Sequence, residues 1–204
     1  MYSQNDEEQH ILSMFAGHVG RFIDIGANDG TTGSNTARLI ELGWSGVMVE
    51  PSAQAFVKLK ERYWQNPTVI LVNAAIGNKW ELVHLWESLQ AQHSPYSTTQ
   101  ERNRKKWQNL ANFPTNPQFI TTIPISELFK LVQTPVDFVN IDAEGESMGI
   151  FKEWPMCGEF APKLFCIEHD GDDSLCSSIA KEYGYRMIAT NAENILLWNN
   201  SPGR

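Results

Sequence analysis

No apolar run in this chain approaches the ~20 residues that a membrane-spanning helix requires, so no membrane association is expected. Cysteine is scarce. Cys157, Cys166 and Cys176 are odd in number and form no C-x-x-C pair, which removes a disulfide framework and predicts free thiols in a reducing compartment. Positive charge is short as well: 16 Lys and Arg stand against 24 Asp and Glu, a net charge of −8. A general nucleic-acid binder would carry a basic stripe, so nucleic acid is not an expected partner. The first ten residues, MYSQNDEEQH, are acidic and resemble neither a signal nor a transit peptide. These absences predict a cytoplasmic protein. Its 204 residues suit a single domain over 1–204 with one large core.

What is present is organised around 21–51, RFIDIGANDGTTGSNTARLIELGWSGVMVEP. A short apolar strand holding Asp24 leads into a turn with glycines at 26, 30 and 33. Thr36 to Gly43 reads as a helix, and a second strand ends on Glu50 and is stopped by Pro51. A strand, turn, helix, strand unit needs a parallel sheet and a right-handed crossover, and ligands bind beyond the carboxyl ends of such strands. The dinucleotide fingerprint is missing, because Asn28 and Thr31 stand where its second and third glycines belong. A nicotinamide-dependent oxidoreductase is therefore disfavoured. An acid inside the first strand repels phosphate but suits an ammonium group, and Glu50 is placed to accept both hydroxyls of a ribose. A ligand with a ribose, an ammonium and no phosphate is S-adenosyl-L-methionine.

Along the rest of the chain, 6–18 reads as an amphipathic helix and Ser52 caps another running to about Trp64. The continuous apolar run 68–72 predicts a parallel strand buried on both faces. It ends in Asn73-Ala74, which could sit against an adenine, or simply turn. Strands are expected at 80–86 and 118–123. The polar segment between them, about 87–117, reads as an inserted lid with a helix over 98–110. Arg102, Lys105 and Lys106 share one face of that helix, with Trp107, Tyr96 and His93 as flat surface; they offer either a site for an anionic substrate or a solvated face. Further strands are expected at 136–141 and 164–167, helices at 146–154 and 174–183, and an antiparallel hairpin over 185–198.

The remaining chemistry lies at two strand ends. Asp142 and Glu144 follow one strand, Glu168, His169 and Asp170 the next, and adjacent parallel strands bring both groups to one rim. Methyl transfer to a hydroxyl needs the partners aligned and the hydroxyl proton removed. Asp142, Glu144 and His169 are the candidate catalytic residues. The carboxylates of Asp142 and Glu168 with His169 could instead hold a divalent cation, but without firm ligand spacing no metal is assigned.

The motifs Phe22-Ile-Asp-Ile-Gly-Ala-Asn-Asp-Gly30, Ser34-Asn-Thr36, Gly43-Trp-Ser-Gly46, Val49-Glu-Pro51, Asn73-Ala-Ala-Ile-Gly77 and Phe138-Val-Asn-Ile-Asp-Ala-Glu-Gly145 together resemble the FkbM family of S-adenosylmethionine-dependent methyltransferases. That resemblance implies an α/β, Rossmann-like class I methyltransferase fold: a mostly parallel seven-stranded sheet ending in an antiparallel hairpin, with helices on both faces. It implies O-methylation of a hydroxyl on a sugar, glycan or related metabolite. By position, Asp24, Gly26, Ala27, Asn28 and Gly30 would cradle the methionine part of the cofactor. Ser34, Asn35 and Thr36 would lie near its carboxylate, and Glu50 with Pro51 at its ribose. Asn73 and Ala74 would lie at its adenine, and Asp142 at the boundary with the acceptor. A non-catalytic binding module on the same fold remains the alternative.

Overall fold

In the computed structural model, which describes residues 1–87, 97–101, 104, 105, 113, 117–132, 135–156 and 158–199, the elements follow one another along the chain. The first half holds α1 (Glu7–Met14), β1 (Arg21–Ile25), α2 (Ala37–Glu41), β2 (Ser45–Val49), α3 (Ala53–Tyr63), β3 (Val69–Val72), β4 (Ala75–Gly77) and β5 (Glu81–Glu87). Then come β6 (Ser97–Thr98), β7 (Gln118–Pro124), α4 (Ile125–Phe129), β8 (Phe138–Ile141), α5 (Ser147–Glu153), β9 (Leu164–Glu168), α6 (Asp173–Glu182), β10 (Tyr185–Thr190) and β11 (Asn194–Asn199).

One sheet has seven strands in the order β10-β11-β9-β8-β1-β2-β3. Strands β1, β2, β3, β8 and β9 pair in parallel, and β11 runs antiparallel to both β9 and β10. The doubly wound α/β sheet closing in a hairpin is thus as the sequence predicts. The two-residue strand period sorts side chains into two apolar layers. Ile23, Val47, Val139 and Phe165 face α4, α5 and α6, packing with Leu128, Phe151 and Cys176. Phe22, Met48, Phe138 and Leu164 face α1, α2 and α3, packing with Ile11, Leu39 and Leu59.

Two expectations need correction. Strand β3 is not buried on both faces: it is the sheet's edge, and Ile70 is 43% exposed. A continuous apolar run reports strand character but not position in the strand order. Helix α1 is also shorter than 6–18, since Phe15 caps it and Gly17 turns the chain at a φ of 76°.

The strands expected at 80–86 and 118–123 form a second sheet, β4-β7-β5-β6, in which Ala75–Gly77 is a strand rather than only a turn. The expected lid is described in part. Thr98 belongs to β6 rather than to a helix, and most of the helix expected over 98–110 lies outside the described residues. So do His93, Tyr96, Arg102, Lys106, Trp107 and Cys157. Cys166 and Cys176 are buried free thiols. Among the described residues no helix is long and apolar enough to cross a membrane.

Phe165 is fully buried, with its ring 5.4 Å from Phe151 and 5.3 Å from Tyr185. Phe165→Ala should cost about 3–5 kcal/mol and lower the thermal midpoint by roughly 6–20 °C. An unchanged midpoint in a thermal melt would contradict this packing.

Candidate active site

The turn after β1 is built by close backbone approach. The amides of Gly26 and Ala27 both donate to the Val49 carbonyl, and Asp142 N–H donates to Ile25 O. Gly26 sits at a φ of 84°, and a Cβ there would collide with the Asp142 carbonyl oxygen. Asn28 also takes a left-handed conformation, which asparagine tolerates better than most residues. Gly30 is needed for a different reason: a Cβ would meet Leu59 and Tyr63 at 2.6 Å, and the Tyr63 hydroxyl donates to the Gly30 carbonyl.

Asp24 points from β1 toward α2, and its carboxylate is taken on both sides. Thr36 Oγ1 and Asn140 Nδ2 donate to its two oxygens, the latter at 2.9 Å. Asp24, Asn140 and Cys166 are register partners on adjacent strands, and Asn35 Nδ2 spans the row to Asn140 Oδ1 and Cys166 Sγ. Burial holds the Asp24 carboxyl above its ordinary range, against the pull of these two donors. Ser34 Oγ accepts from Ala37 N–H at 3.0 Å, tying the turn to the first residue of the short helix α2.

Glu50 is the second buried acid. Its oxygens accept from the backbone amides of Asn28 (2.8 Å) and Ser52 (2.7 Å), which fix the carboxylate at the cavity wall. Burial raises its pKa from an ordinary 4.5 to about 7, with the charges of Glu87 and Asp24 adding to the rise. Asn73 Nδ2 donates to the Glu50 carbonyl and so works behind the site.

At the ends of β8 and β9, oxygens of Asp142, Glu144 and Glu168 come within 4.8 Å of one another. This is a hard-oxygen set of the kind a divalent cation takes. Burial, the Glu168 charge and a hydrogen bond to Glu168 push Asp142 well above the ordinary carboxylate range; burial and Asp170 raise Glu168. Two acids this close each disfavour the other's ionisation. Glu168 also accepts from Glu144 N–H and Ser147 Oγ, both at 3.2 Å. His169 does not join them. Its Nδ1 accepts from Gly171 N–H and its Nε2 donates to the Asn191 carbonyl, so the ring braces the hairpin turn away from the cavity. The expected catalytic role for His169 is not supported by this placement.

These groups open on a cavity of about 930 Å³. Asp24, Gly26, Ala27, Asn28, Ser34, Asn35, Glu50, Pro51, Ala74, Asp142 and Glu144 line it, while Gly30, Thr36 and Asn73 lie behind. The opposite wall is the inner face of the second sheet, with Glu81, Val83, Leu85, Glu87 and Thr122. The end of β6 and the residues after it are latched onto the Glu144 turn: Thr98 Oγ1 donates to Glu144 O at 3.0 Å and Gln100 Nε2 to Gly145 O at 2.8 Å.

The family model for the methyltransferase FkbM domain matches residues 24–187. The chain belongs to the FkbM methyltransferase family. Among solved structures it is similar to the methyltransferase FkbM from Methylobacillus flagellatus KT, at 14% identity over 88% of this chain and 43% of that one, with a TM-score of 0.49. A putative RNA methyltransferase from Pyrococcus horikoshii matches at 10% identity over 95% and 81%, with a TM-score of 0.49. Precorrin-6y C5,15-methyltransferase from Geobacter metallireducens GS-15 matches at 12% identity over 94% and 87%, with a TM-score of 0.47. No curated protein matches. The chain spans less than half the length of the M. flagellatus FkbM structure.

This FkbM domain also uses residues that carry no motif in the sequence. Tyr2, Ser3 and Gln4 reach the cavity, with Ser3 Oγ donating to Asn35 Oδ1 at 2.7 Å. Buried Glu7 delivers them there by accepting from Asn191 and Asn194, far away in sequence. Asn140 does leave a signal, being the one polar residue in an apolar strand and in phase with Phe138.

Two outcomes test this geometry. Gly26→Ala should destabilise by at least about 1–3 kcal/mol through backbone strain alone, more with the collision added. A melt midpoint equal to wild type would refute the close approach. A carboxyl whose pKa is higher folded than unfolded adds stability that is complete below about 4.5 and lost as pH rises through about 7 for Glu50. That shift corresponds to roughly 3 kcal/mol. The ligand-free midpoint should therefore drop less between about pH 5 and about pH 8 in Glu50→Gln than in wild type. Equal drops would show that Glu50 does not titrate in this window.

Proposed function

We propose that this domain transfers a methyl group from S-adenosyl-L-methionine to a hydroxyl of a sugar, glycan or related small molecule. The observation that carries the reading is Glu50, a buried carboxylate held by two backbone amides at the lip of a glycine turn. Its remaining lone pairs are available to vicinal ribose hydroxyls. The Gly26 backbone lines the cavity beside Glu50, and the acidic wall suits a ligand that carries ammonium and sulfonium charge.

Asp24 enters this reading differently from the sequence expectation. With its oxygens engaged by Thr36 and Asn140, it positions the turn and α2 rather than acting through a free carboxylate. S-adenosyl-L-methionine supplies a methyl group already activated by its sulfonium and leaves as the thioether. The protein's part is to hold the acceptor hydroxyl in line, exclude water and take the hydroxyl proton. The Asp142–Glu168 pair suits this proton removal, because its raised affinity for protons brings it closer to working pH than an ordinary carboxylate. Glu144, beside it, lines the acceptor side.

A thermal melt with S-adenosylhomocysteine, with NAD and with buffer alone tests the cofactor. A ligand at a hundred times its dissociation constant stabilises by about 2.7 kcal/mol, roughly 5–10 °C for a chain of this size. The shift should occur with S-adenosylhomocysteine only and be lost in Glu50→Ala; a shift with NAD alone would overturn the reading. Asp142→Asn should lower turnover by about 10²–10⁴-fold with little change in cofactor affinity. Equal losses in both would make Asp142 a binding residue.

A further inference from the structure

Charge on the cavity wall is one-sided. Among the described residues nine carboxylate side chains line it against one cation, Lys58, whose charge acts on Asp29. A concave wall of one sign concentrates the field and draws ligands of the other sign. The basic cluster expected to meet an anionic substrate does not offset this among the described residues. Lys105 lies 3.8 Å from Glu101, and Arg104 pairs with Glu101 and stacks over Trp86.

One of the nine acids carries a more specific signal. Glu87 closes β5 at the cavity wall and is only 6% exposed. Its Oε2 accepts from Gln118 Nε2, but its Oε1 is buried without a hydrogen-bond partner among the described residues. Two other buried acids of the wall are tied down, Asp24 by Thr36 and Asn140 and Glu50 by two amides. A buried carboxylate oxygen with no donor is costly, and a ligand that brings the donor removes the cost.

We propose that Glu87 binds a protonated amine on the acceptor, so that the substrate class is an amino alcohol, with an amino sugar as its glycan form. The inference rests on the methyl-transfer reading above and narrows its acceptor. A hydroxyl would satisfy one lone pair and leave the charge uncompensated; an ammonium group brings three donors and the opposite charge. An acceptor bearing a carboxylate or phosphate would meet like charge across most of the wall, which discriminates against it. The amine is the handle, and the neighbouring hydroxyl remains the group that is methylated.

Calorimetric titration of the whole chain with glucosamine, glucose and glucuronate, each with and without saturating S-adenosylhomocysteine, tests this. The three probes share a sugar ring and differ in charge. Wild type should bind glucosamine about tenfold or more tightly than glucose, and glucuronate most weakly. Glu87→Gln should lose the preference for the amine, and Glu87→Asp, which keeps the charge, should retain it. S-adenosylhomocysteine affinity should stay near wild type in both, which also reports that they are folded. Equal affinities, no binding of glucosamine, or a preference that survives in Glu87→Gln would overturn the proposal. So would an equal loss of S-adenosylhomocysteine affinity in Glu87→Gln, which would assign Glu87 to the cofactor. If the amine preference holds while S-adenosylhomocysteine fails to bind wild type, the methyl-transfer reading falls and the amine site stands.

Discussion

A carboxylate sealed against the face of a parallel sheet governs this molecule. Asp24 sits level with Asn140 on the next strand, and neither group has a favourable existence without the other at that depth. Thr36 completes the lock from the start of α2, so the turn between β1 and α2 is fixed at both ends. Everything presented to the cavity from this side follows from that lock: the Gly26 backbone, the Asn28 amide on Glu50, and the Ser34 hydroxyl on the Ala37 amide.

The carboxyl ends of β1, β2, β8 and β9 gather acids that would repel one another if all were ionised. Three devices make the gathering tolerable. Donors are supplied to Asp24 and Glu50, burial and the Glu168 charge raise the proton affinity of Asp142, and helix α5 presents Ser147 to Glu168. The result is a pocket whose empty, ionised form is held at a cost in stability. A wall of one sign favours ligands of the other.

The parallel sheet is legible in the sequence because its signals are local: alternating or continuous apolar runs, glycines at turns, a serine cap. Glu50 and Asp142 stand at strand ends in the sequence and in the fold alike, since strand termini face the cavity by topology alone. What stays hidden depends on tertiary placement. His169 and Glu168 are sequence neighbours, yet one pleat separates them and the imidazole turns to the Asn191 carbonyl. Ile70 belongs to an apolar run like any central strand, and only the strand order shows it at an edge. Asp24 has the look of a ligand group in the sequence because its strand position is visible there, while its pairing with Asn140, 116 residues on, is not.

The second sheet has a consequence for how this domain diversifies. Its strands occupy 75–124, and its inner face forms the wall opposite the glycine turn. The glycine turn and the Glu50 strand end instead hang from the seven-stranded sheet and its two apolar layers. Exchanges at inward positions of β5 and β7 therefore remodel one wall while the Asp24 lock remains intact. The chain thus joins a fixed frame to a replaceable mould, and the shape of the cavity changes by recasting the mould alone.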